Sequence, residues 1–499
     1  MTQDNRAFGS AGRDHHARPT QGAATFFITH AQVEDFAFRL DRAHPQLSAG
    51  HLPLRRFAIG SISLSALVCF CLLAGGGLKL TASIILVFFF GGAMVLRFAA
   101  LMSGLRRSQP STVELDDAQL PTYTILIPLF REETVILNLV EALDRLHYPR
   151  KKLQILLLLE EEDHATRAVL ERIDLGNPYS LVVLPKGLPQ TKPRALNIGL
   201  SLATGDLICI YDAEDDPHPE QLRQVAAAFA QADPRLVCMQ CPLDIYNADA
   251  SALASLFTLE YAALFHLLNP GLTNLKLPVL LGGTSNHFRT QILRDLYGWD
   301  AWNVTEDADM GLRIARGGYL VGTLSTPTYE EAPITFQSWL MQRKRWMKGW
   351  MQTLCVLLRD LPALQRDLGP FCSLAVMLLL GGGVLGPLTW PIFAGFLAAD
   401  LFTNSLFDFS SLSASLTSLL WSGTALLGLF MAFAPLILGA WRCKIRRLLI
   451  WLPLVPALHM LLFAAAALAL RDLFKRPHYW DKTAHGHGLQ KPPKSPPFG

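Results

Sequence analysis

Charge is what this chain has least of: Asp, Glu, Lys and Arg make up 17% of its 499 residues, against 51% hydrophobic. Soluble domains carry about 25% charged residues, so a wholly soluble chain is excluded and a membrane protein with one soluble domain fits. Net charge is lacking too. At a formal +3 no global basic field draws in DNA or RNA, and nucleic acid is set aside as a partner. The opening MTQDNRAFGSAGRDHHARPTQG has no short apolar core of a signal peptide, so residues 1–55 read as an uncleaved, flexible, polar cytosolic tail. Zinc-type cysteine spacing is also missing. The eight cysteines include one close pair, Cys238 and Cys241, with no second pair or histidine partner, and they read as reduced structural thiols.

What is abundant is long apolar sequence. Residues 57–100 are almost wholly apolar, with Lys79 and Arg97 their only charges; at about 20 residues per span they predict a hairpin of two membrane helices over 56–104. Arg106 and Arg107 then mark the cytosolic side. Further uncharged runs at 371–399, 409–441 and 448–470 place a second membrane region over 369–471, giving five or six spans in all. The run at 371–399 holds GGG, Pro387 and Pro391, and reads as one long tilted helix or a short hairpin. Both the RCKIRR loop (442–447) and the tail at 472–499 are basic, and one span between them cannot leave both in the cytosol.

Residues 105–335 have a different character. TYTILIPLF, LQILLLLE, YSLVVLP, GDLICIYDAED and RLVCMQC are short β-prone runs separated by helical patterns such as EETVILNLVEALDRL. This alternation predicts a parallel sheet with helices on both faces and a ligand site at the carboxyl ends of its strands.

Carboxylates gather at those ends. YDAEDDP presents Asp212 and Glu214 two apart on an extended segment, so they share one face and can grip one Mg²⁺ or Mn²⁺ whose other sites go to water and a diphosphate. Glu132 ends another run, and Glu160, Glu161, Glu162 and Asp163 a third. Converging like charges repel unless a cation or a donor-rich ligand joins them, which suggests a nucleotide site. KPRALNIG places Lys192 and Arg194 at a helix start, suited to phosphate. In WNVTEDADMGLRIARGGY, Thr305 reads as an N-cap with Glu306, Asp307 and Asp309 in the first turn; a carboxylate there can deprotonate a hydroxyl. MQRKRWMKGW (341–350) mixes Arg343, Lys344, Arg345 and Lys348 with Trp346 and Trp350, and suits either a membrane-interface helix or a sugar-phosphate pocket.

In their order, DAEDDP, VTED and QRKRW resemble the membrane-embedded family 2 glycosyltransferases, the group of cellulose, hyaluronan and chitin synthases, over roughly residues 55–485. The resemblance implies an α/β GT-A-type cytosolic domain (105–335), interface helices bearing QxxRW (336–368) and an α-helical transmembrane bundle. It implies an inverting, processive transferase that builds a β-linked polysaccharide from a nucleotide sugar, usually a UDP-sugar, in a bacterial inner membrane, with export partner proteins as an option. The alternative is single transfer to a polyprenyl phosphate or another lipid. On this resemblance Asp307 is the general base. Glu132, Glu160 or Glu161, Lys192, Asp212, Glu214, Gln342 and Arg345 hold the donor, and Arg343 stands near its diphosphate. Thr305, Glu306 and Trp346 face the acceptor, while Lys348 and Trp350 stay ordinary interface residues. The family's metal motif is DxD, and this chain has Asp212-Ala213-Glu214; Glu160 or Glu161 stands where an aspartate usually meets uracil. HYWDKT resembles the tail that covers the nucleotide in hyaluronan and chitin synthases, through Trp480, Lys482 and Thr483. That role places the tail in the cytosol and favours a hairpin at 371–399. GGTSNHFR (282–289) resembles the family's acceptor-side loop.

Overall fold

The computed structural model describes residues 23–74, 76–106, 114–173, 175–402 and 407–480. Eleven strands are present among them, in chain order β1 (Ala24–Phe27), β2 (Tyr123–Leu129), β3 (Leu153–Glu160), β4 (Tyr179–Leu184), β5 (Leu207–Ile210), β6 (Asp216–Pro217), β7 (Leu236–Gln240), β8 (Leu243–Ile245), β9 (Asn286–Arg289), β10 (Leu320–Thr323) and β11 (Thr328–Glu330). Eight form one sheet in the order β1-β4-β3-β2-β5-β9-β7-β10, and β6, β11 and β8 form a small second sheet.

Each of the five apolar runs supplies a strand, β2, β3, β4, β5 and β7. The main sheet is not wholly parallel, because β9 runs antiparallel between β5 and β7. Its strands are apolar at consecutive positions because both faces are covered. Ile125, Ile127, Leu157 and Val183 pack on one side against the helices Ile136–Asp144 and Gln221–Gln231. Leu126, Leu158, Val182 and Ile208 pack on the other against Lys192–Leu202 and Glu306–Arg316. The chain order reverses at β2: β3 and β4 lie to one side and β5 to the other, so the crevice opens at the carboxyl ends of β2, β3 and β5.

Within the stretch read as a tail, residues 24–53 are folded onto this domain. β1 pairs in parallel with β4, and Thr29 and Gln32 form a capping box that starts the helix His30–Ala37. Ser48 Oγ and the Ala49 amide then donate to buried Asp300, which ties this segment to the loop before Thr305.

The apolar hairpin is the helices Leu54–Ala74 and Gly76–Leu105. Leu361–Phe402 is helical except at Gly369 (φ 74°), so GGG, Pro387 and Pro391 do not turn the chain, and the hairpin expected at 371–399 is one helix. In an apolar setting a helix can hold proline where neighbouring groups satisfy the freed backbone. Leu412–Arg442 and Val455–Lys475 follow. Among the described residues five stretches are long and apolar enough to cross a membrane: Leu80–Leu105, Ala252–Asn274, Leu361–Thr389, Leu412–Arg442 and Arg446–Lys475. Ala252–Asn274, which the sequence reading passed over, is mostly buried within the protein. A Cβ on Gly271 would overlap the Ala100 carbonyl, and one on Gly104 that of Leu267. The two helices therefore meet backbone to backbone, which only glycine permits.

Candidate active site

A cavity of about 370 Å³ lies where the sheet's carboxyl edge meets the helix Phe336–Arg359. Its wall brings together Glu132, Glu160, Lys192, Asp212, Glu214, Thr305, Glu306, Asp307, Gln342, Arg345, Trp346 and Trp480. Glu161 is not part of it. As the last residue of β3, Glu160 turns inward, and Glu161, the next residue, faces solvent.

The floor is built by β5 and the turn after it. The Asp212 amide donates to Asp215 Oδ2 at 2.8 Å, and the Thr284 hydroxyl donates to the same oxygen. The turn is thereby fixed, leaving the Asp212 and Glu214 side chains at the cavity. Asp215 is 2% exposed, and its Oδ1 has no partner among the described residues. Burial first, then Glu330, Asp212 and Glu214, holds the Asp215 carboxyl well above the usual range. The sequence put Asp215 among the carboxylates of DAEDDP without a role, and Glu330, in TYEEAP, was not singled out.

The helix Lys192–Leu202 directs two cations inward from its first turn. Lys192 Nζ lies 2.5 Å from Asp212 Oδ1 and donates to the Gly283 carbonyl at 2.7 Å. Burial lowers its pKa, but Asp212, Glu306 and Asp307 outweigh that and hold it above the ordinary lysine value. Arg194, 1% exposed, pairs with Glu160 at 3.2 Å and donates to the Pro185 carbonyl. Burial pushes Glu160 up to about 7 even against Arg194. Gly283 belongs to GGTSNHFR, and its missing side chain leaves space between Asp307 and Lys192.

On the opposite wall, Thr305 occupies the N-cap of Glu306–Arg316 without a side-chain capping bond. Asp307 Oδ1 accepts from the Ala308 amide at 2.8 Å. Burial raises both neighbouring carboxyls, Glu306 to about 7, while Lys192 and Arg345 pull each back. A partly ionised carboxylate pair beside two cations suits proton removal near neutral pH.

Gln342, Arg345 and Trp346 stand three and four apart on Phe336–Arg359 and so share the cavity face. Gln342 Oε1 and Arg345 Nε are buried without partners among the described residues. Arg343, one residue away, also lines the cavity. Its guanidinium pairs with Glu260 at 2.5 Å and lies over the Phe257, Trp339 and Trp346 rings, so it braces the aromatic wall. Trp346 stacks on Tyr261, with centroids 6.4 Å apart.

Lys348 is no ordinary interface residue. It is fully buried, and its Nζ donates to the Tyr479 carbonyl at 2.5 Å. Gln352 donates to the Pro477 carbonyl and accepts from the Val304 amide, joining the C-terminal segment to the loop before Thr305. Trp350 also lines the cavity. Trp480 reaches the cavity with Arg345 5.9 Å from its ring centre; Lys482 and Thr483 lie outside the described residues.

The two helices touch at Gly349, where a Cβ would overlap the Thr305 side chain. Gly349→Ala is expected to force them apart at a cost of about 1–3 kcal/mol, read as a lower melting temperature. An unchanged melt with full activity would show that the contact does not set the spacing.

A model of glycosyl transferase family group 2 matches residues 207–469. The probable glycosyltransferase YdaM of Bacillus subtilis is 26% identical over 234 residues, 46% of this chain and 56% of that one. A β-monoglucosyldiacylglycerol synthase of Synechocystis is 26% identical over 276 residues, 54% of this chain and 56% of that one. The chain thus spans about half the length of these curated relatives. The mannosyltransferase PcManGT from Pyrobaculum calidifontis, solved with GDP-Man and Mn²⁺, superposes with a TM-score of 0.51 at 20% identity, over 79% of this chain and 98% of that one. That likeness concerns the fold: a mixed GT-A-type sheet, here followed by long apolar helices. With a family model covering more than half its length, the chain belongs to glycosyl transferase family group 2.

Proposed function

We propose that this glycosyltransferase is embedded in a membrane, takes a sugar from a nucleotide sugar on the cytosolic face and adds it, with inversion, to a growing β-linked polysaccharide. One observation carries the reading: Asp307 lies in the same cavity as the Lys192, Asp212 and Glu214 cluster and the Trp346 ring. A donor diphosphate and the flat apolar face of an acceptor sugar thus have places on either side of one base.

In this reading Asp307 takes the acceptor hydroxyl's proton as that oxygen bonds to the anomeric carbon. The bond from carbon to diphosphate oxygen breaks, and Arg345 and Lys192 receive the departing charge. Asp212 and Glu214, two carboxylates on one open turn, fit a Mg²⁺ or Mn²⁺ ion held by one or two carboxylates. Such an ion would neutralise diphosphate charge. Glu160, held by Arg194, faces the base, and Trp480 covers the nucleotide.

Four helices cross the bilayer in this proposal: Gly76–Leu105, the part of Leu361–Phe402 after Gly369, Leu412–Arg442 and, as the first arm of the hairpin, Leu54–Ala74, whose 21 residues are charged only at Arg55 and Arg56. Val455–Lys475 does not cross. Arg447, just before it, pairs with Asp249, and near its end Asp472 pairs with Lys344 and the Pro477 carbonyl meets Gln352. Both ends therefore lie on the catalytic side, and so do both basic segments, as positive charge prefers.

Labelled UDP- and GDP-sugars supplied to membranes should give a long product cut by a β-glycosidase; a product of one sugar extracted with lipid would replace this reading. Single transfer to a lipid is the second reading, favoured by Leu264, Leu268, Val376 and Leu380 at the cavity's far end. Lys348→Met should loosen the C-terminal segment. A hydrogen bond to a charged group is worth about 1.5–3 kcal/mol, so donor KM should rise about tenfold or more with kcat much less affected; an unchanged KM would separate the segment from donor binding.

A further inference from the structure

The cavity continues past Trp346 into a throat between Gly76–Leu105, the 264–272 stretch and Leu361–Phe402, and its lining there is mostly aliphatic, with Phe265, the buried amide of Asn269 and one charged side chain. Arg97 opens onto it. Apart from Lys79 near its start, Arg97 is the only charge on Gly76–Leu105. It stands about 12 Å along the axis from the Leu105 end, which Arg442 ties to the catalytic side through the Gly104 carbonyl. A charge at that depth is costly unless an anion meets it. Arg97 makes no hydrogen bond or ion pair among the described residues, and the one charge acting on it is Glu260. That carboxylate is already engaged by Arg343 at 2.5 Å. Two guanidinium groups thus share one carboxylate, and the throat keeps one uncompensated positive charge beside Leu264, Leu268, Leu272, Val376 and Leu380.

We propose that this throat binds an anionic phospholipid, its phosphate headgroup against Arg97 and its acyl chains along the aliphatic wall. The charge count asks for a single anion, and the lining asks for hydrocarbon. A hydrated acidic sugar chain would answer only the first. The inference rests on the reading above in which Gly76–Leu105 crosses the bilayer and the acceptor is a polysaccharide, since a lipid acceptor would take the same aliphatic wall.

The test uses the full chain in nanodiscs of equal phosphatidylglycerol and phosphatidylcholine, delipidated in detergent and weighed by native mass spectrometry. Phosphatidylglycerol should be retained about fivefold over phosphatidylcholine, the effect of one cationic side chain on an anionic lipid. Arg97→Gln should abolish the preference and Arg97→Lys should keep it, which separates lost charge from misfolding. Equal retention by the unaltered protein, a preference that survives in Arg97→Gln, or displacement of the lipid by millimolar inorganic phosphate would each overturn the proposal. Donor hydrolysis on the same samples reports on the catalytic reading separately: its absence alongside intact lipid preference counts against that reading and leaves this one standing.

Discussion

Asp307→Asn should lower kcat about 10³-fold, within the 10²–10⁴ that a positioned general base contributes, while the protein stays folded. Asparagine keeps the shape and the bond from the Ala308 amide but has no basic oxygen. Because burial raises Asp307 and places Glu306 near about 7, the adjacent carboxyls titrate as a pair. The base works deprotonated, and a raised pKa shifts loss of activity upward from the ordinary carboxylate range. Turnover should therefore fall as pH drops below neutral, and kcat/KM against pH should show that limb. Removing one of two adjacent buried negative charges relieves repulsion, so the variant's melting temperature should hold or rise. A melt that collapses along with activity would make Asp307 structural. Full turnover would remove it from the chemistry.

The parts of the fold legible in the sequence are those that physics makes redundant. β2, β3 and β4 are continuous apolar runs because helices cover both faces, and the carboxylates that end β2, β3 and β5 mark one sheet edge. β9 was not legible: NHFR is four residues with no apolar run, and only its pairing with β5 and β7 makes it a strand. β1 was hidden inside a polar stretch. At 371–399, glycine and proline left one helix or a hairpin open, because a sequence does not say whether neighbouring helices will satisfy the freed backbone. The resemblance separated the site half of MQRKRWMKGW from the rest, and positions 342, 345 and 346 share a helix face. It could not show that Lys348 turns to the C-terminal segment or that Arg343 is held by Glu260, because both partners are remote in sequence. Glu160 and Glu161 were equivalent until the end of β3 set which one turns inward.

Arg345→Ala should lower kcat about 10²–10³-fold, the usual effect of removing one donor aimed at developing charge. Among the described residues its Nε is buried and unpartnered, and the side chain stands against Trp480. Its second effect separates it from a merely structural residue. Arg345 helps hold Glu306 and Asp307 down, so without it both carboxyls rise further and the acid limb of the pH profile should move to higher pH. Arg345→Lys should restore much of that limb, because the charge returns, but less of kcat, because an ammonium lacks the planar fork that meets two diphosphate oxygens at once. A slow Arg345→Ala enzyme with an unmoved limb would place the guanidinium away from Asp307 during turnover, and the diphosphate charge would then fall to Lys192. Lys192→Met would in that case show the larger loss, and comparing the two variants decides which cation meets the leaving group.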